Sequence, residues 1–171
     1  GKVSWINYDD EGKVFIQSII EPNECFGELP LFDDELYAAS AIAETDSVVI
    51  QLPKPTFLLL LKENPELLFA FAKLLAQRVR YKFFTLKELA CHNPEQQIVE
   101  FLNYYKNKSH QLSVHPYKVT FTRQQLADMT GLRVETVIRV IKKLSENGKL
   151  NIDRGKVYLS NTDSNHKNLA V

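Results

Sequence analysis

Cysteine and long apolar runs are scarce in this sequence. The 171 residues include two cysteines, Cys25 and Cys91, and neither belongs to a CxxC or Cys/His ligand pattern. A disulfide scaffold and a zinc site are therefore not expected. The apolar run at residues 57–61 is far shorter than the ~20 residues of a membrane-spanning helix, and no signal-peptide pattern is evident. The sequence predicts a cytoplasmic protein that holds no metal and has no membrane partner.

Catalytic side chains are also scarce. The acidic cluster at residues 33–35 lies in a predicted turn and lacks the spacing of metal ligands. An enzyme needs an acid, a base or a nucleophile gathered in one pocket, but the four histidines are scattered through predicted loops and the tail. They are His92, His110, His115 and His166. We therefore do not predict an enzyme.

The formal net charge is zero over the whole chain, but this value averages unlike segments. Residues 1–53 carry 2 Lys or Arg against 11 Asp or Glu, whereas residues 54–120 carry 10 against 5. Residues 121–160 are basic as well, with 8 against 4. The charge distribution therefore predicts an acidic N-terminal module followed by a basic C-terminal one, so the overall neutrality does not exclude nucleic acid as a partner.

Residues 1–53 have the pattern of a small antiparallel sheet. Residues 2–8 and 13–20 are rich in β-branched and aromatic side chains, and residues 9–12, DDEG, supply the turn of a hairpin. Residues 37–44 and 47–52 indicate two more strands. Together these segments predict part of a β-roll.

A long helix is predicted after this sheet. Residues 56–62 indicate a short helix, and Asn64 caps a second helix that runs from Pro65 to about Ala90. Side chains along it alternate at spacings of four and three, as in a coiled-coil seam. The seam comprises Leu68, Ala72, Leu75, Val79, Lys82, Leu86 and Leu89, with Lys82 as its polar exception. This pattern predicts homodimerisation, and a single wide core face within one subunit is the alternative.

A further capped helix leads to a winged helix-turn-helix. Asn93 caps an amphipathic helix that ends near Lys108 and marks a hinge. The segments after it are a polar loop at 109–116, a strand at 119–121, a helix-turn-helix at 122–147, a wing hairpin at 149–159 and a polar tail from residue 160. This order is typical of a DNA-binding domain.

The helix-turn-helix has one apolar side and one polar side. Leu126 and Ala127 of its first helix point inward, and Gly131 permits the sharp turn. In the second helix, predicted at 133–146, the inward residues recur at helical spacing, and they are Val137, Val140, Ile141 and Leu144. The opposite side carries the candidate base contacts Val134, Glu135, Ile138 and Arg139. Glutamate can accept from cytosine and arginine can donate to guanine, although Glu135 and Arg139 could instead form an ordinary i,i+4 ion pair.

Three short motifs resemble those of one family. They are FGELPLF at residues 26–32, TRQ at 122–124 and ETVIR at 135–139. They are similar to motifs of the dimeric bacterial regulators typified by the cyclic-AMP receptor protein and the fumarate and nitrate reduction regulator, the CRP/FNR family. The resemblance covers essentially the whole chain. It implies a sequence-specific transcriptional regulator that binds palindromic double-stranded DNA as a homodimer and contacts RNA polymerase.

The resemblance implies an α+β fold with three parts. These are a partial antiparallel β-roll of the cyclic-nucleotide-binding jelly-roll type at residues 1–63, a long dimerisation helix at 64–92 and a winged helix-turn-helix at 93–171. In the family, further strands precede the hairpin that lies here at residues 2–20. The resemblance therefore implies that this chain lacks the N-terminal strands of the sensor domain.

Within this family, the recognition-helix residues imply a half-site of the TTG type. Glu135 and Arg139 match positions that read a central G·C-rich core, and Val134 stands where the cyclic-AMP receptor protein has a base-reading arginine. A valine there can contact only a thymine methyl group, and Ile138 adds a second apolar contact. Six other side chains are expected to hold phosphates, namely Thr122, Arg123, Gln124, Arg133, Thr136 and Lys142.

The resemblance also implies an effector pocket. We assign it to Gly27, Glu28, Leu29, Tyr37, Ala38, Lys82 and Phe83. In the family, an arginine-serine pair holds the phosphate of the cyclic nucleotide and a threonine-serine pair contacts the purine. Tyr-Ala at residues 37–38 and Lys-Phe at residues 82–83 take these places here. Cyclic AMP is therefore not expected, no cofactor is evident, and we predict another small-molecule effector.

Within this pocket we expect Gly27 to allow a tight turn and Glu28 to cap backbone amides. Two alternatives to a switched regulator stay open at this point. One is a constitutive DNA binder, and the other is a protein-interaction module whose β-roll only dimerises.

Overall fold

The computed structural model describes residues 1–108 and 116–160. The chain folds into two compact units, one comprising Gly1–Leu86 and the other beginning at Lys87. Sheets and helices occupy separate stretches of the chain rather than alternating regularly, which confirms the predicted α+β class. None of the described helices combines the length and the apolar character that crossing a lipid bilayer requires.

The first unit is built on a three-stranded antiparallel sheet. β1 (Val3–Tyr8) and β2 (Val14–Ile20) form the predicted hairpin, and β3 (Ser40–Ala43) pairs with the other edge of β1. Asp9 closes the hairpin, because its carboxylate accepts a hydrogen bond from the amide of Lys13 at 2.8 Å. A side chain of the turn itself therefore helps to set where the two strands begin to pair.

The strands predicted at residues 37–44 and 47–52 are only partly observed. Strand pairing is confined to Ser40–Ala43, and residues 47–52 form no strand. Val48 and Ile50 are 97% and 96% exposed. A β-branched run becomes a strand only where a neighbour supplies hydrogen bonds and a packing face, and no described strand lies beside residues 47–52. The prediction for that segment is therefore wrong.

Two helices follow the sheet, α1 (Lys54–Glu63) and α2 (Pro65–Cys91). Phe71 of α2 is 8% exposed, and its ring centroid lies 5.0 Å from that of Phe57 and 5.7 Å from that of Phe32. Burial of aromatic rings of this size is a major stabilising contribution. The cluster therefore joins α1 and α2 to the FGELPLF segment.

The second unit has the predicted order of a winged helix-turn-helix. Its elements after α2 are α3 (Pro94–Lys108), β4 (Tyr117–Lys118), α4 (Arg123–Thr130), α5 (Val134–Glu146), β5 (Leu150–Asp153) and β6 (Lys156–Leu159). β6 is the central strand of the sheet β4-β6-β5. The strand predicted at 119–121 lies slightly earlier, because Tyr117 is the residue that pairs with Leu159.

Most of the predicted loop at 109–116 and of the predicted tail from residue 160 lies outside the described residues. The same applies to His110, His115 and His166.

Local capping fixes the helix ends of the second unit. Asn93 begins α3 as predicted, since its side-chain oxygen accepts from the amides of Glu95 (3.1 Å) and Gln96 (3.0 Å). α5 ends at Glu146 and is followed by Asn147 and by Gly148, which has φ of 72° and whose amide donates to the carbonyl of Ser145 at 3.0 Å. The helices between these caps enclose a closed core whose members are each at most 2% exposed: Ile98, Phe101, Leu102, Leu126, Ala127, Met129, Val137, Ile141, Leu144, Leu150 and Val157.

Candidate nucleic-acid interface

The turn between α4 and α5 is set by local chemistry. Thr122 begins α4 through a capping box, in which its hydroxyl oxygen accepts from the amide of Gln125 at 3.0 Å. The side-chain oxygen of Gln125 accepts from the amide of Thr122 at 2.9 Å in return. Gly131 ends α4 with φ of 68°, a left-handed conformation that glycine adopts without steric cost. α5 then begins at Val134 after a tight turn.

α5 presents two very different faces. Its inner face packs against α3 and α4, and Val137 and Ile141 are 0% and 1% exposed. Its outer face carries Ile138, which is 52% exposed, together with the exposed side chains of Glu135 and Arg139. Val134 is half-buried at the start of the helix. Burial of the inner face therefore determines which side chains point outward.

Glu135 and Arg139 have no partner among residues 1–108 and 116–160. Their i,i+4 spacing makes an ion pair geometrically available, but no ion pair or hydrogen bond joins them or connects either one to another described side chain. The ordinary surface ion pair, the alternative that the spacing allowed, is therefore not formed. A carboxylate acceptor and a guanidinium donor stand side by side with their hydrogen-bonding groups open to solvent.

The candidate phosphate contacts cluster at the starts of α4 and α5. Thr122, Arg123 and Gln124 begin α4, Arg133 and Thr136 flank the start of α5, and Lys142 lies farther along α5. Helix N-termini favour anions because their first amides lack intrahelical partners. Four of these side chains already have contacts within the chain. The hydroxyl of Thr122 caps α4, and the ammonium of Lys142 lies 4.0 Å from a carboxylate oxygen of Glu146. Gln124 donates to a carboxylate oxygen of Asp128 at 2.8 Å, and Arg123 donates to the carbonyl of Gly155 at 3.4 Å.

The predicted seam of α2 is apolar and exposed along much of its length. Leu68, Val79 and Leu86 are 45%, 55% and 64% exposed, and Leu89 is 39% exposed. Leu75 is half-buried. Contiguous apolar exposure of this kind usually marks a surface that is covered by a partner.

A buried ion pair holds the FGELPLF segment. Glu28 is 4% exposed, and one of its carboxylate oxygens pairs with the guanidinium of Arg78 from α2. The same guanidinium donates to the carbonyl of Cys25 and lies 5.5 Å from the ring centroid of Trp5. Arg78 thus connects the loop, the sheet and α2 by charge-assisted contacts.

The role predicted for Glu28 is wrong in part. Glu28 does precede the short 3-10 helix Leu29–Leu31, but its side chain makes no capping hydrogen bond there. A buried carboxylate gains more from an adjacent guanidinium than from neutral amides. Arg78 was not predicted, although it lies four residues before Lys82 and therefore on the same face of α2.

Lys82 points from α2 toward the sheet. Its ammonium donates to the side-chain oxygen of Gln17 and lies 3.4 Å from the Gln17 carbonyl. Gln17 donates to the side chain of Asn7 at 2.9 Å, and Asn7 donates to the carbonyl of Ala38 at 2.8 Å. Burial, and then the positive charge of Arg78, lower the pKa of Lys82. A chain of hydrogen bonds therefore connects two of the predicted pocket residues.

The other predicted pocket residues are placed less closely. Gly27 has φ of 83°, as a tight turn requires, and a Cβ atom built there would lie 3.4 Å from the ring of Tyr37. Tyr37, Leu29 and Phe83 are 71%, 41% and 68% exposed. Hydrogen bonds therefore link Lys82 to Ala38, and Gly27 lies beside the ring of Tyr37. Glu28 pairs with Arg78 instead, and Leu29 and Phe83 are exposed.

Two family models match the sequence. The cyclic nucleotide-binding domain matches residues 1–64, and the Crp-like helix-turn-helix domain matches residues 96–164. Together they cover most of the chain and leave α2 between them.

Known proteins are similar to this chain in sequence or in fold. The cAMP-activated global transcriptional regulator CRP of Haemophilus influenzae is 28% identical over 149 residues, which cover 85% of this chain and 66% of that protein. A CRP/FNR-family transcriptional regulator of Thermus thermophilus superposes with a TM-score of 0.68 at 26% identity, covering 93% of this chain and 78% of that one. The c-di-GMP responsive global regulator of Xanthomonas campestris superposes with a TM-score of 0.75 at 24% identity, covering 95% and 82%, and shows the common fold.

Proposed function

Because the chain belongs to the CRP/FNR family of DNA-binding transcriptional regulators, we propose that it binds a palindromic DNA site as a homodimer. The observation that carries this proposal is the outer face of α5. Ile138 is 52% exposed there, and Glu135 and Arg139 have no partner among the described residues. An acceptor, a donor and an apolar side chain on one helix face suit base-pair edges in the major groove.

The expected half-site is of the TTG type. Arg139 donates to the O6 and N7 of a guanine, and Glu135 accepts from the N4 of a cytosine in a neighbouring pair. Val134 and Ile138 contact thymine methyl groups, since neither offers a hydrogen bond to a base. These four residues supply the sequence preference.

Six side chains position the protein on the sugar-phosphate backbone. They are Thr122, Arg123, Gln124, Arg133, Thr136 and Lys142. Such contacts release counterions, so affinity falls on the order of a thousandfold between ~50 and ~200 mM salt. Arg123 and Gln124 keep their contacts with Gly155 and Asp128, and these contacts hold the two side chains close to the backbone path.

The dimer forms through α2. Leu68, Leu75, Val79, Leu86 and Leu89 lie along one stripe of this helix, and four of the five are at least 39% exposed in a single chain. Lys82 interrupts the stripe, and its contact with Gln17 draws the ammonium toward the sheet. Pairing two copies covers the stripe and allows two recognition helices to sit about one DNA turn, ~34 Å, apart.

The effector is a small molecule other than cyclic AMP. A cyclic phosphate needs cations that are available to it, but Arg78 is bound to Glu28 and Cys25, and Lys82 is bound to Gln17. Tyr37 and Ala38 bring no positive charge in their place. By family resemblance, the DNA-bound dimer contacts RNA polymerase. A constitutive binder without an effector is the second candidate, and the same engaged cations favour it.

The proposal is tested by selecting binding sites from a random DNA library with the purified protein. We expect inverted TTG-type half-sites to be enriched and the complex to contain two copies of the chain by analytical ultracentrifugation. Repeating the selection in the presence of cyclic AMP should change neither the enriched sequence nor the affinity. Unselective binding by a dimer would contradict the DNA-reading role, and sequence-specific binding by a monomer would contradict the α2 dimer.

A further inference from the structure

The tip of the wing hairpin carries an arginine, Arg154, in a left-handed backbone conformation that arginine rarely adopts. β5 and β6 are joined by a two-residue turn between Asp153 and Lys156, and both turn residues have positive φ, 47° at Arg154 and 76° at Gly155. A turn of this kind favours Asn-Gly or Gly-Gly, because most side chains clash with the backbone at positive φ. An arginine at the first position is therefore unfavourable for the hairpin itself.

The other positive-φ residues show how exceptional this is. Within the described residues, the non-glycine examples besides Arg154 are Asn23 (68°) and Asp34 (57°). Asparagine and aspartate tolerate this region because their short polar side chains bond locally. Arginine has no such compensation. A strained residue that lacks a structural reason is a candidate for a functional one.

Arg154 also lacks a partner. Its side chain is exposed and forms no hydrogen bond or ion pair with any described residue. Lys156, on the next strand, is exposed as well. The hairpin tip therefore presents a guanidinium and an ammonium that the fold does not use.

The tip is held beside the start of α4. Arg123, the first residue of α4, donates to the carbonyl of Gly155 at 3.4 Å, which places Arg154 next to one of the proposed phosphate contacts. Val157 is 1% exposed and its carbonyl accepts from the amide of Val119 at 2.9 Å, so the base of the hairpin is anchored as well. The position of Arg154 relative to α4 is thus fixed by packing within the second unit.

We propose that Arg154 enters the minor groove beside each half-site and reads its width. α5 occupies the major groove and Arg123 contacts the backbone that borders it, so a tip next to Arg123 reaches the groove on the other side of that backbone. A·T-rich steps narrow the minor groove and strengthen its negative potential, which attracts arginine in particular. Lys156 contacts a phosphate at the groove edge. This inference rests on the proposed DNA-binding function and adds a preference for A·T-rich flanks.

The test uses DNA duplexes with one fixed pair of half-sites and three kinds of flank, A·T, G·C and I·C. Inosine lacks the guanine amino group that widens the minor groove and projects into it, and it leaves the major-groove pattern of the pair unchanged. We expect the wild-type protein to bind A·T and I·C flanks on the order of tenfold more tightly than G·C flanks.

Two variants distinguish recognition of the minor groove by Arg154 from a general effect of its charge and from loss of the hairpin fold. Arg154→Asn suits the positive φ and keeps the hairpin intact, and we expect it to lose the flank preference while half-site selectivity is unchanged. Arg154→Lys keeps the charge, and we expect the same loss of flank preference with little change in salt dependence. Thermal unfolding of both variants checks that the hairpin still folds.

Three results would overturn the inference. The first is a flank preference that persists in Arg154→Asn, and the second is a wild-type protein that binds all three flanks equally. The third is a variant that weakens binding equally on all three flanks and lowers the slope of log affinity against log salt concentration by about one. That result would identify Arg154 as a phosphate contact only. A different result would contradict the proposed function itself, namely a wild-type protein that shows no half-site selectivity on any flank.

Discussion

Exposed apolar side chains have different meanings in the two units. In the unit that begins at Lys87 the core is closed, and Ile138, at 52%, is the most exposed large apolar side chain among its described residues. In the unit Gly1–Leu86, Leu36, Val48 and Ile50 are 91%, 97% and 96% exposed. An exposed apolar side chain indicates a contact surface when the helix that carries it is already packed on its other face. Exposure is therefore informative for Ile138 and says little by itself about Val48.

The two units also differ in how their charged side chains are placed. In the first unit Glu28 is buried and paired with Arg78, so the charge holds a loop in place. In the second unit Glu135 and Arg139 are exposed and have no partner in the described part of the chain. Charge thus holds a loop in the first unit, whereas the charged groups on the outer face of α5 in the second unit are open to solvent.

The largest effect is expected from Arg78→Met, which leaves the carboxylate of Glu28 buried without compensation. We expect a loss of ~3 kcal/mol in the free energy of unfolding of the first unit, measured by urea unfolding with the fluorescence of Trp5, the single tryptophan. Adding Glu28→Gln should recover part of this loss. A change below ~1 kcal/mol in Arg78→Met would mean that the ion pair is not what holds the loop.

The next largest effect is expected from Val79→Glu in the α2 seam. A charge buried without a partner at the interface costs ~3 kcal/mol, which raises the dissociation constant of the dimer on the order of a hundredfold. Leu59→Glu is the matched control, because Leu59 is 54% exposed and Val79 is 55% exposed. Sedimentation equilibrium should show dissociation for Val79→Glu alone. Equal behaviour of the two variants would show that the seam does not pair.

A smaller effect is expected from Arg139→Ala on the outer face of α5. Loss of a bidentate contact to guanine should cost ~1–3 kcal/mol and relax the preference at one base pair, measured by quantitative binding-site selection. Lys62→Ala removes an exposed positive charge in the first unit and should leave the selected sequence unchanged. An unaltered preference in Arg139→Ala would remove this residue from the base contacts.

The smallest effect is expected from Lys82→Met and appears at alkaline pH. The pKa of Lys82 is lowered in the folded chain, so the unfolded chain binds the proton more tightly. Stability of the wild-type protein should therefore rise slightly as pH increases from the lowered pKa toward the usual lysine value of ~10.4. Much of the Lys82 side chain is exposed, so solvent screens the effect. Thermal unfolding between neutral pH and pH ~10 should show this rise in the wild-type protein and not in Lys82→Met.

Features that depend on neighbouring residues were predictable. The cap at Asn93 and the turn at Gly131 were predicted because each depends on residues within a few positions of the helix end. The capping box at Thr122 was not predicted, although it is equally local. The same holds for the inner face of α5, because its burial follows helical periodicity. Helical spacing placed the candidate base contacts on the outer face of that helix, and motif similarity indicated what they contact.

Features that depend on residues far away in the sequence were not predictable. A strand at 47–52 requires a neighbouring strand that the local pattern does not reveal, and the segment is irregular. Arg78 donates to Cys25, which is 53 residues away in sequence, and no periodicity signals such a contact. Glu28 was consequently assigned a capping role in place of its ion pair.

The sequence by itself determined the family, the helix ends and the side chains that α5 turns outward, because capping and amphipathic periodicity act within one or two turns of a helix. Only the tertiary structure decided that Glu28 pairs with Arg78 and that Lys82 turns toward Gln17. It also decided that Arg154 is held beside Arg123. Each of these contacts joins segments far apart in the chain, and only the packing of sheet against helix brings their charged groups within bonding distance.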